Sequence, residues 1–565
     1  MKKIILMVIC LSMVVSLAAC TKPATPAAPA ETLNGIGKGY GGDVTVTVTK
    51  EGDKIVKVEA VGASETNGIG SKAIAELPAK IVEANSTEVD AIAGATMTSK
   101  AIIYAVNNAL DPAKYPAPVA VVEVPKDPTK IEAADVFQGF GLASSPRTGP
   151  GKDDKDVQVW SINEVMANVL FDGDGKVLSI YIDQLEVATP NYDGNGMPHF
   201  SGFPGQGGYN FDENHDAKVE GKTVDTEDNY KAEIAGWLTK RARGDEYKMG
   251  TGTWSTQMDK YQEIFVGKTV AEIEAWFAKY SSDLNGRPLK DGSEKPEDKA
   301  KYDALSADDK AMLADVTSAA TMSLKDAHGD ILAAIKSAYE NRVGLDIKSA
   351  VGQGLGLVSS PRTGPGKDDK DVQVWSFNQV FANTLFDKDG KILAIYIDQL
   401  EVATPNYDGN GMPHFSGFPG QGGYNFDENH DAKVEGKTVD TEDNYKAEIA
   451  GWLTKRARGD EYKMGTGTWS TQMDKYQEIF VGKTVAEVEA WFAKYSSDLN
   501  GRPLKDGSDK PEDKAKYDAL SADDKAMLAD VTSAATMSLK DAHGDILAAI
   551  KASFENRMDI ELTIK

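Results

Sequence analysis

From Val44 to Lys50 the chain alternates apolar and polar residues, Val-Thr-Val-Thr-Val-Thr-Lys, the period of a strand with one buried face. Glu51-Gly52-Asp53 supplies turn chemistry, and Ile55–Val61 reads as the returning strand. The period then lengthens. Ile69–Ala84 fits a helix around Leu77 and Ile81, and a last helix after Thr96 sets Ile102, Ile103, Val106 and Leu110 at helical spacing. The same order returns further along, on a larger scale. Val157–Phe171 and Val177–Leu185 are strand-like about the turn Asp172-Gly173-Asp174-Gly175, and a final helix after Thr321 aligns Leu324, Ile331, Leu332 and Ile335. Strands of antiparallel type followed by helices predict an α+β fold.

The larger pattern occurs twice. SSPRTGPGKDDKDVQVWS begins at Ser144 and again at Ser359, a shift of 215 residues, and the segment Ile180–Asp216 recurs unchanged from Ile395. The predicted organisation is a small unit at 33–111, a Pro-spaced linker at 112–132, and two large repeats at 133–345 and 348–560. From the second strand to the helix threonine the small unit has 96 − 61 = 35 residues, and the large one 321 − 185 = 136. A common core with an insertion of about a hundred residues, holding Trp237, Trp254 and Trp276, accounts for the difference.

The first residues read as an address. Lys2 and Lys3 precede an apolar run, Ile4 to Ala19, that ends in Leu17-Ala18-Ala19-Cys20. This resembles the site where a bacterial lipoprotein is cut before a cysteine that then carries lipid. Residues 1–19 are expected to be a signal peptide, Cys20 the lipidated residue, and 20–32 a Pro/Ala tether. No later apolar run approaches the ~20 residues that span a bilayer. The expected location is the outer face of a cell membrane. Cys10 and Cys20 are the two cysteines, so thiol-based zinc sites, iron–sulfur clusters and haem attachment are excluded. The formal charge is −25, and removing Lys2 and Lys3 takes it to −27, which argues against nucleic acid as a partner.

One motif occurs in every unit. Asp90…Gly94-Ala95-Thr96, Asp315…Ser318-Ala319-Ala320-Thr321 and Asp530…Ser533-Ala534-Ala535-Thr536 share the form Asp-x-x-small-small-Ala-Thr ahead of an amphipathic helix. Small residues permit close approach to the backbone, and a helix start favours negative charge. A phosphate would be well held there; a plain helix cap is the alternative use of such residues.

With Glu65-Thr66, Gly68-Ile69-Gly70, Leu77-Pro78 and the Asp90–Thr96 motif, the small unit resembles the FMN-binding domain of sodium-pumping quinone reductases and related electron-transport complexes. The resemblance implies FMN joined to the last threonine by a phosphoester, attached by a separate flavin transferase. The large repeats, through GPGKD, IDQLEVATP, GFPGQGGYN, KRARG and DVTSAATMS, are similar to modules of flavinylated Gram-positive lipoproteins of extracellular electron transfer. That implies up to three covalent FMN groups, on Thr96, Thr321 and Thr536. The chain departs from the pattern at Ala93, where Ser or Thr is usual, and at Ala319 and Ala534, where glycine is usual. The implied donor is a membrane NADH- or quinone-linked dehydrogenase, and the acceptors are soluble flavin, ferric iron or a reductase.

Glu65 and Thr66, with Glu186, Thr189, Glu401 and Thr404 in the repeats, follow the second strands and are expected to line the flavin pocket. Trp254 and Trp469 are expected in the core rather than on a flavin ring, and Arg241 and Arg243 on a solvated helix face rather than at a phosphate. His199 and His215 lack metal-ligand spacing, and His328 and His543 read as ordinary residues of the final helices. Asp172–Gly175 lacks the acid set of a calcium loop, and no metal site is expected. No catalytic acid–base pair stands out, so a carrier is favoured over an enzyme. The alternatives are a lipid-anchored solute-binding protein and an extracellular flavin-dependent reductase.

Overall fold

The computed structural model describes residues 30–39, 43–62, 65, 70–92, 95–115, 129–153, 156–190, 192, 197–200, 202–204, 227–325, 328–368, 371–405, 407, 411–415, 417–419 and 441–565. These form two compact units, Met1–Glu123 and Val124–Lys565. Among the described residues no helix is long and apolar enough to cross a membrane.

In the first unit, strands β1 (Ala30–Lys38), β2 (Asp43–Glu51) and β3 (Lys54–Val61) form an antiparallel sheet in that order. The Val44/Val46/Val48 alternation buries one face of β2, as the pattern predicts. Helices α1 (Gly70–Ala84) and α2 (Thr96–Leu110) cover it, placing Leu77, Ile81, Ile102 and Val106 in the core. The sheet starts at Ala30, within the stretch read as tether, because β1 pairs with the whole of β2. Gly35 and Gly37 let α2 rest directly on β1: an added Cβ would stand 1.9 Å from the Ala105 carbonyl oxygen and 2.1 Å from that of Ala101.

The second unit holds both repeats. β4 (Thr129–Ala133) precedes the first, which runs through β5 (Val136–Lys152), β6 (Gln158–Asp172) and β7 (Val177–Ala188). Its insertion follows as α3 (Glu227–Ala235), the ribbon β8 (Lys248–Met249) and β9 (Gly252–Thr253), and α4 (Trp254–Phe265). It continues through α5 (Val270–Tyr280), α6 (Pro296–Asp303) and α7 (Ala307–Ala319). Helix α8 (Ile331–Glu340) and β10 (Val343–Gly344) close the repeat. The second copy repeats the order with β11 (Ser349–Lys367), β12 (Gln373–Phe386), β13 (Ile392–Ala403), α9 (Glu442–Ala450), β14 (Lys463–Met464) and β15 (Gly467–Thr468). It ends with α10 (Trp469–Phe480), α11 (Val485–Tyr495), α12 (Pro511–Asp518), α13 (Ala522–Ala534), α14 (Ile546–Glu555) and β16 (Met558–Ile564). The sheets run β10-β5-β6-β7 and β13-β12-β11-β16-β4; β4 joins parallel to β16, so the strand before the first repeat completes the sheet of the second.

The helix-on-glycine contact seen in the first unit recurs here. A Cβ on Gly139 or Gly141 would stand 1.9 or 1.8 Å from the carbonyl oxygens of Ala338 and Ala334 of α8. On Gly354 or Gly356 it would stand 1.9 or 2.1 Å from those of Ser553 and Ala549 of α14. The three sheets thus share one way of seating a helix, and the insertion lies between third strand and helix as the spacing predicts.

Strands β6 and β7 are buried on both faces. Val165, Ala167, Val169 and Ile182 face α8 and the insertion helices. Ile162, Met166, Leu185 and Val187 face the other repeat in a joint core with Phe377, Phe381 and Leu400. Contacts across this interface are reciprocal at the 215-residue offset. Tyr230 Oη donates to the Ser376 carbonyl, and Tyr445 Oη to that of Ser161. Thr148 donates to Glu442 and Thr363 to Glu227, each at 2.7 Å. Such reciprocity is that of a two-fold dimer interface. The repeats, read from the sequence as two domains, are packed as an internal dimer around one core.

Candidate functional site

Thr96 is the first residue of α2, with Ala95, 4% exposed, in the cap position. Alanine offers no oxygen to the first-turn amides, so this fifteen-residue helix begins without a side-chain cap and its positive end is left for an anion. Glu65 comes to the same place: its Oε2 accepts from Thr98 Oγ1, one turn inside the helix. A Cβ on Gly39 would meet Glu65 Oε1 at 2.1 Å and one on Gly70 would meet Oε2 at 2.6 Å, so glycines make the room this carboxylate occupies. Asp90 is exposed. Thr66 and Gly94 lie outside the described residues, as do the side chain of Thr96 and Cys20. A phosphate fits at the start of α2: the helix end is uncapped and small residues line the approach.

The repeats place their threonines differently, which corrects the expectation of a helix after each. Thr321 follows the end of α7, ten residues before α8 begins at Ile331. The helix–glycine contacts give the register: Ala101 to Ala334 and Ala105 to Ala338 are both steps of 233, so the place of Thr96 falls on 329, which is Gly329. In the second repeat the step is 448 and the place falls on Gly544. The start of α8 is already capped by Asp330, which accepts from the Ala333 amide at 2.8 Å; Asp545 does the same on α14. The physical reason is chain length: 329 − 321 = 8 residues separate Thr321 from the place of Thr96, and α7 and α13, each opened by a Ser-x-x-Asp capping box, end inside the motif at Ala319 and Ala534.

Within that helix end Asp315 pairs with Lys260 at 2.8 Å, and Asp530 with Lys475 at 2.9 Å. The hydroxyls of Ser318 and Ser533 turn back to carbonyls of their own helices, and Ala320 and Ala535 are fully buried. The Thr321 amide donates to Gln257 Oε1 at 2.9 Å, and that of Thr536 to Gln472 Oε1 at 2.9 Å. Thr321 Oγ1 lies beside the β8–β9 turn, 3.4 Å from where a Cβ on Gly250 would stand.

Glu186 and Glu401 form a separate polar centre at the end of each sheet. Glu186 is buried between Arg147, 2.8 Å from its Oε1, and Lys240, 2.9 Å from its Oε2, with Ser161 Oγ also on Oε1. Burial acts to raise its pKa, but the Lys240 and Arg147 charges prevail and hold it at about 2. Glu401 repeats this with Arg362 and Lys455. Thr189 and Thr404 are fully buried, and their hydroxyls have no hydrogen-bond partner among the described residues.

Other residues depart from the sequence reading. Arg241 is not on a solvated face: it donates to the Ile182 carbonyl and to Asp259, and stacks over Tyr181 and Trp254. Arg243, 5% exposed, lies 4.0 Å over the Tyr247 ring. Trp254 and Trp469, each 3% exposed, are core residues. His328 and His543 precede the final helices rather than sitting on them, and His215 lies outside the described residues. Arg147 and Lys240, which hold Glu186, are the site residues that the sequence reading missed; they stand in two of the segments the repeats share, SSPRTGPGKDD and KRARG.

Residues 39–111 match the FMN-binding domain family. Over 222 residues the chain is 36% identical to a chlorophenol reductase of Desulfitobacterium hafniense, covering 37% of this chain and 59% of that one. It is 38% identical over 75 residues to an NADH:acrylate oxidoreductase of Vibrio harveyi, covering 13% of this chain and 8% of the relative. It is 37% identical over 82 residues to a urocanate reductase of Eggerthella lenta, covering 14% of each. The chain thus spans less than two thirds of these relatives. It contains an FMN-binding domain, FMN is its cofactor, and it is a flavoprotein related to reductases.

Proposed function

We propose that this flavoprotein is an exported electron carrier. Its FMN is joined by a phosphoester to Thr96, and lipid on Cys20 holds it to the outer face of a membrane. The observation that carries the reading is the match of residues 39–111 to the FMN-binding domain, with Thr96 opening an uncapped helix. FMN, when bound, supplies the redox chemistry; the chain supplies position and electrostatics. The start of α2 holds the phosphate, and Glu65 fixes the first turn of that helix through Thr98. Covalent attachment suits an exported carrier, because a dissociable cofactor outside the cell is lost by dilution. A flavin transferase makes the bond. Electrons enter from a membrane NADH- or quinone-linked dehydrogenase and leave to soluble flavin, ferric iron or a partner reductase.

The displaced threonines of the repeats favour a single FMN, at Thr96, over the three that the motif alone suggests. Intact mass of protein made together with its flavin transferase tests this. A single FMN increment that disappears in Thr96→Ala supports the assignment. Three increments would return Thr321 and Thr536 to the reading and show that the transferase follows the Ala-Thr-Met sequence rather than the helix end. Denatured, desalted protein without yellow colour would overturn the carrier in favour of a lipid-anchored solute-binding protein. The reductase names of the relatives favour a second reading, an extracellular reductase; steady turnover of a small organic acceptor would select it.

A further inference from the structure

Glu164 of β6 and Gln379 of β12 stand at the 215-residue offset and touch each other, so they lie on the two-fold that relates the repeats. Both are buried, 3% and 1% exposed, on the strand faces that carry Ile162, Met166, Phe377 and Phe381. Gln379 Nε2 donates to Glu164 Oε2 at 2.6 Å, and among the described residues the carboxyl group makes no other hydrogen bond. Opposite Glu164 in its own sheet stand Ser144 and Leu185, and opposite Gln379 stand Ser359 and Leu400. Neither serine hydroxyl has a partner, and Gln379 Oε1 is a buried acceptor without a donor. The carboxylates of the third strands, Asp183 and Asp398, accept from the amides of Arg241 and Arg456, each at 3.1 Å. Helices α3 and α9 add Glu227, Glu233, Glu442 and Glu448. Glu164 feels none of these: among the described residues, burial and the Gln379 contact are what act on it, and no cation does.

An ionised Glu164 would be a buried charge held by one neutral donor, which is a costly arrangement. Protonated, the same group both donates and accepts. A carboxylic acid facing a primary amide closes two hydrogen bonds, one in each direction. The Gln379 amide already donates to Glu164, and the acid O–H supplies the donor that Gln379 Oε1 lacks. Burial raises Glu164 to about 7, so the proton is in place through the mildly acidic range.

We infer that Glu164 is a neutral acid in the folded chain and that its contact with Gln379 is a pH-sensitive latch between the two repeats. As pH rises the acid O–H gives its proton to water, the bond to Gln379 Oε1 is lost, and an anion is left in the joint core. Opening the repeats lets water reach that anion, so the open form titrates near the ordinary value of 4.5. The latch is therefore fully set below 4.5 and is lost as pH rises through 7. It does not depend on flavin at Thr96.

Infrared spectra of the full-length chain, compared with those of Glu164→Gln, test the proton. The expected result is a protonated-carboxyl band that wild type shows below pH 7, that fades above it, and that the variant lacks. Hydrogen exchange of the β6 and β12 amides, corrected for the intrinsic rate, tests the latch. Between about 4.5 and 7 their opening should rise more steeply with pH in wild type than in Glu164→Gln, by roughly tenfold per pH unit. If that variant does not fold, Gln379→Glu gives a second reading: two facing carboxyls share one proton, so the band should persist to higher pH. A wild type without the band, opening with the same pH dependence in both chains, or a band that Gln379→Glu leaves unmoved would each overturn the latch.

Discussion

Two glutamates show how burial and charge set opposite behaviour in one side chain. Glu186 is held at about 2 by Lys240 and Arg147 against the raising effect of burial. A depressed carboxylate stabilises the fold above its unfolded pKa, and that contribution is lost as pH falls from about 4.5 towards 2. Glu186→Gln leaves two buried cations facing an amide, and a loss of about 3–5 kcal/mol is expected at pH 7 from urea unfolding. The gap to wild type should close towards pH 2. Glu164 is the opposite case: burial raises it to about 7, despite the Gln379 hydrogen bond. A raised acid is most stabilising when protonated. Its contribution is present below pH 4.5 and is lost as pH rises through 7, by about 3 kcal/mol over that window. Glu164→Gln should remove this slope, read as the pH dependence of the unfolding midpoint.

The glycines of β1, β5 and β11 decide how elements meet. Gly141→Ala would drive a Cβ to 1.8 Å from the Ala334 carbonyl, and the neighbour is backbone, which cannot swing aside. The expected cost is about 3 kcal/mol or more, with α8 lifted from the sheet. The cap at the start of that helix is a smaller effect: Asp330→Ala should cost about 1 kcal/mol by denaturant unfolding. These elements also explain what was legible. The Val-Thr alternation of β2 and the apolar spacing of α2 show directly, because each follows from local burial on one face. The ends of α7 and α8 were not legible. A Ser306-x-x-Asp309 box announces α7, yet the threonine motif at its end draws the eye to a helix start that lies ten residues further on, at Ile331.

At the scale of the molecule, the two repeats differ at several equivalent positions, among them three on the face that each turns to the other. Ile162, Glu164 and Met166 of β6 stand where β12 has Phe377, Gln379 and Phe381, alternate residues on the side turned to the other repeat. Glu164 and Gln379, equivalent positions, meet each other, Gln379 Nε2 donating to Glu164 Oε2 at 2.6 Å, a pairing that two facing glutamates would not make without a proton between them. Phe200 and Phe415, another equivalent pair, stack at 5.6 Å. A joint core makes the repeats one cooperative body. Scanning calorimetry should therefore show two transitions, one for each compact unit, rather than three. Tyr445→Phe, which removes a hydrogen bond from the second repeat to the first, should shift the larger transition as a whole.

Periodicity and the 215-residue repeat by themselves determined the α+β class and the duplication, and the resemblance carried by Glu65-Thr66, Gly68-Ile69-Gly70 and the Asp90–Thr96 motif pointed to the FMN-binding unit. Each is local in sequence: a strand alternates, a helix cycles, and a flavin motif is contiguous. Only the folded chain decided that the repeats pair through one core, that Glu186 joins Arg147 and Lys240 rather than the motif threonine, and that Thr321 lies away from the place Thr96 holds. Those facts depend on which distant faces exclude water together, and on how many residues separate the end of one helix from the start of the next.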